Sequence, residues 1–183
     1  MELEFKLEGD FFWTSTAIFA SWKGFQNRSG AYGSQGSSTP SDGSARIVFA
    51  PEGRGIEPLT DSEKSLVHWV MENEASISSA LVVSLLKEYP SLQTQYGYSD
   101  TEKADFMPDV CTAEDFRNLI GLHSVNVHPL ERDGVPYVGF EFGCTWDDEH
   151  GLGILMHGNR TVEIGGADTA ILLWIAKRDA KNV

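Results

Sequence analysis

The densest group of reactive side chains lies in Gly143-Cys144-Thr145-Trp146-Asp147-Asp148-Glu149-His150-Gly151-Leu152-Gly153, which gathers a thiol, three carboxylates and an imidazole. His157 follows at the end of the next predicted strand, and His123 or His128 sits on a neighbouring one, so ligand types for a divalent metal are present. The candidate metal set is His150, His157, Asp147 and Glu149, and its chemistry would be a metal-bound water activated by a carboxylate base. The same residues also suit a sharp connection between strands, with Trp146 plugging the end of the core and His150 holding the turn. No H-E-x-x-H pair on a helix is present, and the adjacent Glu149 and His150 would point to opposite faces of an extended segment. A structural or binding turn is therefore preferred. Trp146, Asp147, Asp148, Glu149 and His150 are its binding candidates, no catalytic residue is assigned, and the expected cofactor is none, with a divalent metal as the alternative.

Other motifs do not complete themselves. There is no G-x-S-x-G elbow, and neither Cys111 nor Cys144 sits in a catalytic or C-x-x-C frame. Cys144, flanked by Gly143 and Thr145, reads as a small apolar residue at a strand end. Neither Gly53-Arg54-Gly55 nor Gly165-Gly166 forms a P-loop or dinucleotide fingerprint, and Asp168 already occupies the helix start after Gly166-Ala167.

The elements that position these residues read as one α+β domain over residues 1–183, with a flexible polar loop at about 24–44. Leu3, Phe5 and Leu7 alternate with charged residues, and Gly9-Asp10 turns the chain into a return segment from Phe11 to Trp22. There Trp13, Ile18, Phe19 and Trp22 are expected to supply core area. A short strand at Ala45 to Ala50 precedes a capping box at Thr60 and Glu63. The helical stripe then runs through Leu66, Val67, Val70 and Met71, with His68 inside it, and continues through Ile77, Leu81, Leu85 and Leu86 to an end near Tyr89-Pro90. Thr112 and Asp115 cap a short helix from Ala113 to Ile120, closed by Gly121. A four-strand antiparallel meander follows: Leu122 to Leu130, Val135 to Phe142, Leu152 to His157 and Arg160 to Ile164. Alternation puts His123 with Val125 and Val127 on its core side, and His128 with Ser124 and Asn126 on its solvent side. A last helix, Ala167 to Asp179, would dock through Ile171, Leu172, Trp174 and Ile175. The expected architecture is an antiparallel sheet, the C-terminal meander plus the N-terminal hairpin, packed against two to four helices.

Fourteen basic against twenty-seven acidic residues give a net charge of −13, which disfavours nucleic acid; such charge serves solubility in the preferred reading and steers a basic protein partner in the other. No run approaches the roughly 20 apolar residues of a membrane span, and the N-terminus lacks a signal-peptide pattern. With two cysteines, a cytoplasmic location is expected.

Gly139 to Ala170 resembles a bacterial domain family of unknown function, above all in its C-x-W-D-x-E-H-G-L-G string, Cys144 to Gly153, and in Glu163-Ile164-Gly165-Gly166-Ala167-Asp168. Trp22-Lys23-Gly24-Phe25 and Ala31-Tyr32-Gly33 are similar to its N-terminal part. The resemblance brings no activity with it. The expected function is a non-enzymatic binding module, of immunity or antitoxin type in one version, and the alternative is a metal-dependent hydrolase centred on the Asp147–His150 turn. A third reading places a small-molecule pocket between the helices and the aromatic hairpin.

Overall fold

In the computed structural model, residues 3–29, 35–37, 39–53 and 56–182 are described. Ala31-Tyr32-Gly33, the centre of the 24–44 loop and Arg54-Gly55 lie outside them. Nine strands are formed among the described residues: β1 (Lys6–Glu8), β2 (Phe12–Ile18), β3 (Asn27–Ser29), β4 (Gln35–Ser37), β5 (Ser44–Phe49), β6 (Ile120–Arg132), β7 (Val135–Cys144), β8 (Leu152–His157) and β9 (Arg160–Gly165). The helices are α1 (Asp61–Glu72), α2 (Glu74–Tyr96), α3 (Asp100–Phe106) and α4 (Leu173–Asn182). No described helix is long and apolar enough to cross a membrane.

Seven strands form one sheet in the order β1-β2-β5-β6-β7-β8-β9, and β3 and β4 form a separate two-stranded ribbon. The fold is α+β, as the sequence pattern predicts. All neighbours in the large sheet are antiparallel except β5 and β6, which pair in parallel from Arg46↔Ser124 to Phe49↔Val127. A parallel pair requires a crossover, and here it carries α1, α2 and α3.

The N-terminal hairpin and the capping box of α1 are present, with Thr60 Oγ1 accepting from Glu63 N and the Glu63 carboxylate accepting from Thr60 N. Val67 and Val70 of α1 and Ile77, Leu81 and Leu85 of α2 bury their side chains with Val125, Val127, Phe140, Phe142, Ile154 and Met156 of the sheet. A buried network ties the turn at Ala20–Trp22 to α2: Trp22 Nε1 donates to Ser78 Oγ at 3.0 Å, which donates to Glu74 Oε1 at 3.1 Å.

On the opposite face a 3-10 turn at Ala167–Ala170 and α4 cover β6 to β8, and Tyr137, Leu155, Ile175 and Ala176 form a second, smaller core there. Glycines in the strands permit this contact. A Cβ on Gly139 would lie 1.9 Å from the Ala170 carbonyl oxygen, and one on Gly153 would lie 2.3 Å from that of Gly166.

Several local expectations are corrected. α2 passes through Pro90 and ends only at Tyr96, where Gly97 takes a left-handed φ of 62° as its C-cap. Tyr89 is buried and in edge contact with Phe116 and Trp146, which holds the helix across the proline. Gly121 lies within β6 rather than closing the 3-10 turn at Ala113–Asn118, because β3 crosses close enough that a Cβ there would meet Gln26 O at 2.3 Å. Ile18 is 51% exposed and lies beyond the core. In the last segment Ile171 and Trp174 are exposed, Trp174 instead carrying Arg178 over its ring, and docking falls to Ile175 and Ala176. His68 faces outward on α1.

The β6 histidines also exchange places. A register shift between Leu122 and Ser124 breaks strict alternation at His123, which is half-buried. Ser124, Asn126 and His128 are buried, because the turn at Ala167–Ala170 and α4 lie over their end of the sheet. His128 Nε2 pairs with the Ala170 carbonyl oxygen at 3.1 Å, and burial pulls its pKa down to about 4.

Candidate functional site

The connection from β7 to β8 is anchored at both ends. Thr145 N donates to Leu119 O at 2.9 Å and Thr145 Oγ1 to Phe106 O at 2.6 Å, tying the loop to the crossover. Trp146 is 2% exposed and meets Tyr89 edge-on, with ring centroids 5.5 Å apart. It is a core plug, as its type and position suggest. At the far end Gly151 adopts a left-handed φ of 63°, and a Cβ there would lie 2.7 Å from Phe142 O. Ala167 N donates to His150 O at 2.8 Å and joins the loop to the glycine turn after β9.

Asp147 is the centre of the arrangement. Its Oδ2 accepts from Tyr96 Oη at 2.7 Å, and its Oδ1 accepts from His150 N at 2.8 Å and faces His150 Nδ1 at 3.1 Å. Burial pushes this carboxyl up, but the hydrogen bonds from His150 N, Tyr96 and the His150 ring together outweigh it and hold the group below the usual carboxylate range. Tyr96 is pushed well above a free phenol by burial and by its bond to the Asp147 anion, so it stays a donor. Tyr98 Oη donates to Trp146 O at 2.5 Å, and its phenol is raised by burial and by the nearby carboxylates of Asp147, Glu102 and Asp148. Cys144 is fully buried, its thiol pushed up to about 12 by that burial and 3.7 Å from Asp147 O. It is a protonated packing residue rather than a nucleophile.

Three rings stand beside the loop in series. Tyr96 stacks on Tyr98, and Tyr98 meets Phe106 at a tilt of 45°, each pair with centroids 6.0 Å apart; Tyr96 and Phe106 are exposed and Tyr98 is half-buried. Between α2 and the loop, Leu92, Gln95, Tyr96, Trp146, Gly151, Leu152, Gly165 and Gly166 line a cleft of about 220 Å³. That is smaller than the roughly 300–1,000 Å³ typical of small-molecule sites and suits a single side chain better than a whole cofactor.

The sequence candidates divide on this geometry. Asp147 and His150 are brought together, with Nδ1 turned toward the carboxylate. Asp148 is exposed, 3.6 Å from the buried Arg28, and Glu149 is exposed with no hydrogen-bond or ion-pair partner among the described residues. His157 lies at the opposite end of β8, five residues from Leu152, or about 17 Å at strand rise. There it stacks on Tyr137 and pairs with Arg132 O at 3.2 Å. Among the described residues no group of three or more His, Cys, Asp or Glu side chains is placed to hold a metal ion.

Tyr96, Tyr98 and Phe106 are the site residues that the sequence reading passes over. Their signal is present in the chain. Leu85, Tyr89, Leu92 and Tyr96 continue the apolar stripe of α2 past Pro90, and Ser99 with Glu102 forms a capping box for α3.

No curated protein and no solved structure matches the chain. A family model described as Domain of unknown function (DUF6985) matches residues 34–172, a span that holds the whole meander, the crossover helices and the Asp147 loop. The chain therefore belongs to the DUF6985 domain family.

Proposed function

We propose that this protein is a non-enzymatic binding module that receives a basic side chain of a protein partner on the Asp147 loop. One observation carries the reading: the loop that holds the carboxylates of Asp147, Asp148 and Glu149 is joined by hydrogen bonds to Tyr96 and Tyr98, in a ring series whose two ends, Tyr96 and Phe106, are exposed. Aromatic faces next to carboxylates are the chemistry that holds a guanidinium or ammonium group. The ring contact contributes about 0.5–1 kcal/mol at an exposed site, and a charge-assisted hydrogen bond roughly 1.5–3 kcal/mol. Arginine is favoured over lysine because its planar fork can stack on an exposed ring of the series, Tyr96 or Phe106, while it meets a carboxylate. The net charge of −13 would steer a basic partner toward the molecule. An immunity or antitoxin role in a bacterial cytoplasm is one version of this function.

The test is a titration with a blocked Gly-Arg-Gly peptide and its Gly-citrulline-Gly counterpart, followed by amide NMR. The arginine peptide alone should shift Trp146 to Gly151 and Tyr96 to Tyr98, and the shifts should weaken with salt. Equal responses to both peptides would remove the basis of the proposal. A second reading, a divalent-metal-dependent hydrolase centred on the same turn, draws on the pairing of Asp147 with His150 Nδ1. Zinc titration of wild type and His150→Ala separates the two, since a stoichiometric metal lost with His150 would favour hydrolysis.

A further inference from the structure

At the opposite edge of the sheet, about five strand spacings or roughly 24 Å from the Asp147 cleft, lies a larger cavity of about 550 Å³. Leu3, Phe5, Lys6 and Trp13 of the N-terminal hairpin form one wall, and Pro58, Leu59 and Lys64 at the start of α1 form the other. Its volume falls within the range of small-molecule sites.

The lining combines an apolar floor with uncompensated positive charge. Leu3, Phe5 and Trp13 are half-buried against the main core, and Leu59 is buried. Arg46, Lys103, Arg117, Arg160, Lys177 and Arg178 each pair with a carboxylate, whereas Lys6 and Lys64 make no ion pair among the described residues. Glu4 is the single carboxylate among the lining residues, against the two lysines, in a molecule of net charge −13.

We infer that this cavity binds an amphipathic anion, with an apolar body against Leu3, Phe5, Trp13 and Leu59 and a carboxylate or similar acid met by Lys6 and Lys64. The binding needs nothing from the Asp147 loop, so it stands or falls separately from the function proposed above. The apolar walls provide affinity through burial, and the two ammonium groups select an acid over the corresponding alcohol.

The experiment is calorimetric titration of the full chain with decanoate, decanol and decyltrimethylammonium, with tryptophan fluorescence read in parallel. Decanoate should bind one to one and at least about tenfold more tightly than decanol, a difference of about 1.4 kcal/mol. The cationic surfactant should not compete with it. In the double variant Lys6→Gln/Lys64→Gln the affinity for decanoate should fall to that for decanol, with an unchanged melting temperature. Trp13→Phe should retain binding but lose the fluorescence response, which locates the ligand. Equal affinity for the acid and the alcohol, no decanoate binding at millimolar concentration, or a double variant that binds decanoate as wild type does would each overturn the inference.

Discussion

The Tyr96 hydroxyl donates to Asp147 Oδ2 at 2.7 Å, joining the last turn of α2 to the loop between β7 and β8. Tyr96→Phe removes one of the hydrogen bonds that hold the Asp147 carboxyl low. A carboxylate depressed in the folded state contributes stability above its unfolded pKa, and that stability is lost as pH falls through the folded value. In the variant the folded value moves up toward the unfolded one, so the acid loss should be smaller and complete at a higher pH, with a cost at neutral pH of about 1 kcal/mol. Urea unfolding across the acid range checks both statements.

Trp146→Ala should destabilise the protein by about 3–5 kcal/mol, since the ring is buried and fills the end of the core. Its neighbour behaves oppositely. Tyr89 Oη is buried without a hydrogen-bond partner among the described residues, so Tyr89→Phe should be neutral or stabilising by up to about 1 kcal/mol. A loss of stability in Tyr89→Phe would mean that the hydroxyl finds a partner in solution.

Gly139→Ala should be among the most damaging single changes in the sheet, costing about 3 kcal/mol or more, because the new methyl would enter the space of the Ala170 carbonyl. Displacement of the Ala167–Ala170 turn would also uncover His128. A rise of the His128 pKa, read by NMR, should therefore accompany the lower melting temperature.

His128 itself sets an acid limit. Its folded pKa of about 4 lies below the unfolded value of 6.5, so between these values the unfolded chain takes up a proton that the folded chain does not. Stability from this residue is whole above about pH 6.5 and is lost as pH falls toward 4, by an amount on the order of 3 kcal/mol. His128→Gln keeps a donor for Ala170 O and removes the titration. Its urea midpoint should fall less than that of wild type between neutral pH and about pH 4.5.

Glu149→Gln should change stability by less than about 0.5 kcal/mol, since the side chain is exposed and unpartnered among the described residues. The same variant should weaken binding of the Gly-Arg-Gly peptide. Unaltered peptide affinity would remove Glu149 from the contact surface.

The meander, the N-terminal hairpin and the capped start of α1 are legible in the sequence because each rests on local chemistry: period-two alternation, Asp133-Gly134 and Gly158-Asn159 turns, and the Thr60–Glu63 box. What escapes local reading depends on distant chain. Ser124, Asn126 and His128 carry a solvent-facing pattern, yet a segment more than forty residues later covers them. Pro90 is a local stop signal, overridden because Tyr89 is gripped by Phe116 and Trp146. The candidate loop is legible as a unit, whereas its partners Tyr96, Tyr98 and Phe106 lie beyond that proline. His157 is drawn into the metal set by proximity along the chain, and the length of β8 separates it.

The parallel pairing of β5 with β6 has a kinetic consequence. The meander from Ile120 to Gly165 closes through short turns, so its ladders form at little entropic cost, whereas joining β5 to β6 must close the crossover from residue 50 to 119. The Asp147 loop is born with the meander, but Tyr96, Tyr98 and Phe106 arrive only with the crossover. The site is thus assembled from a half that local contacts build and a half that waits on closure of the crossover.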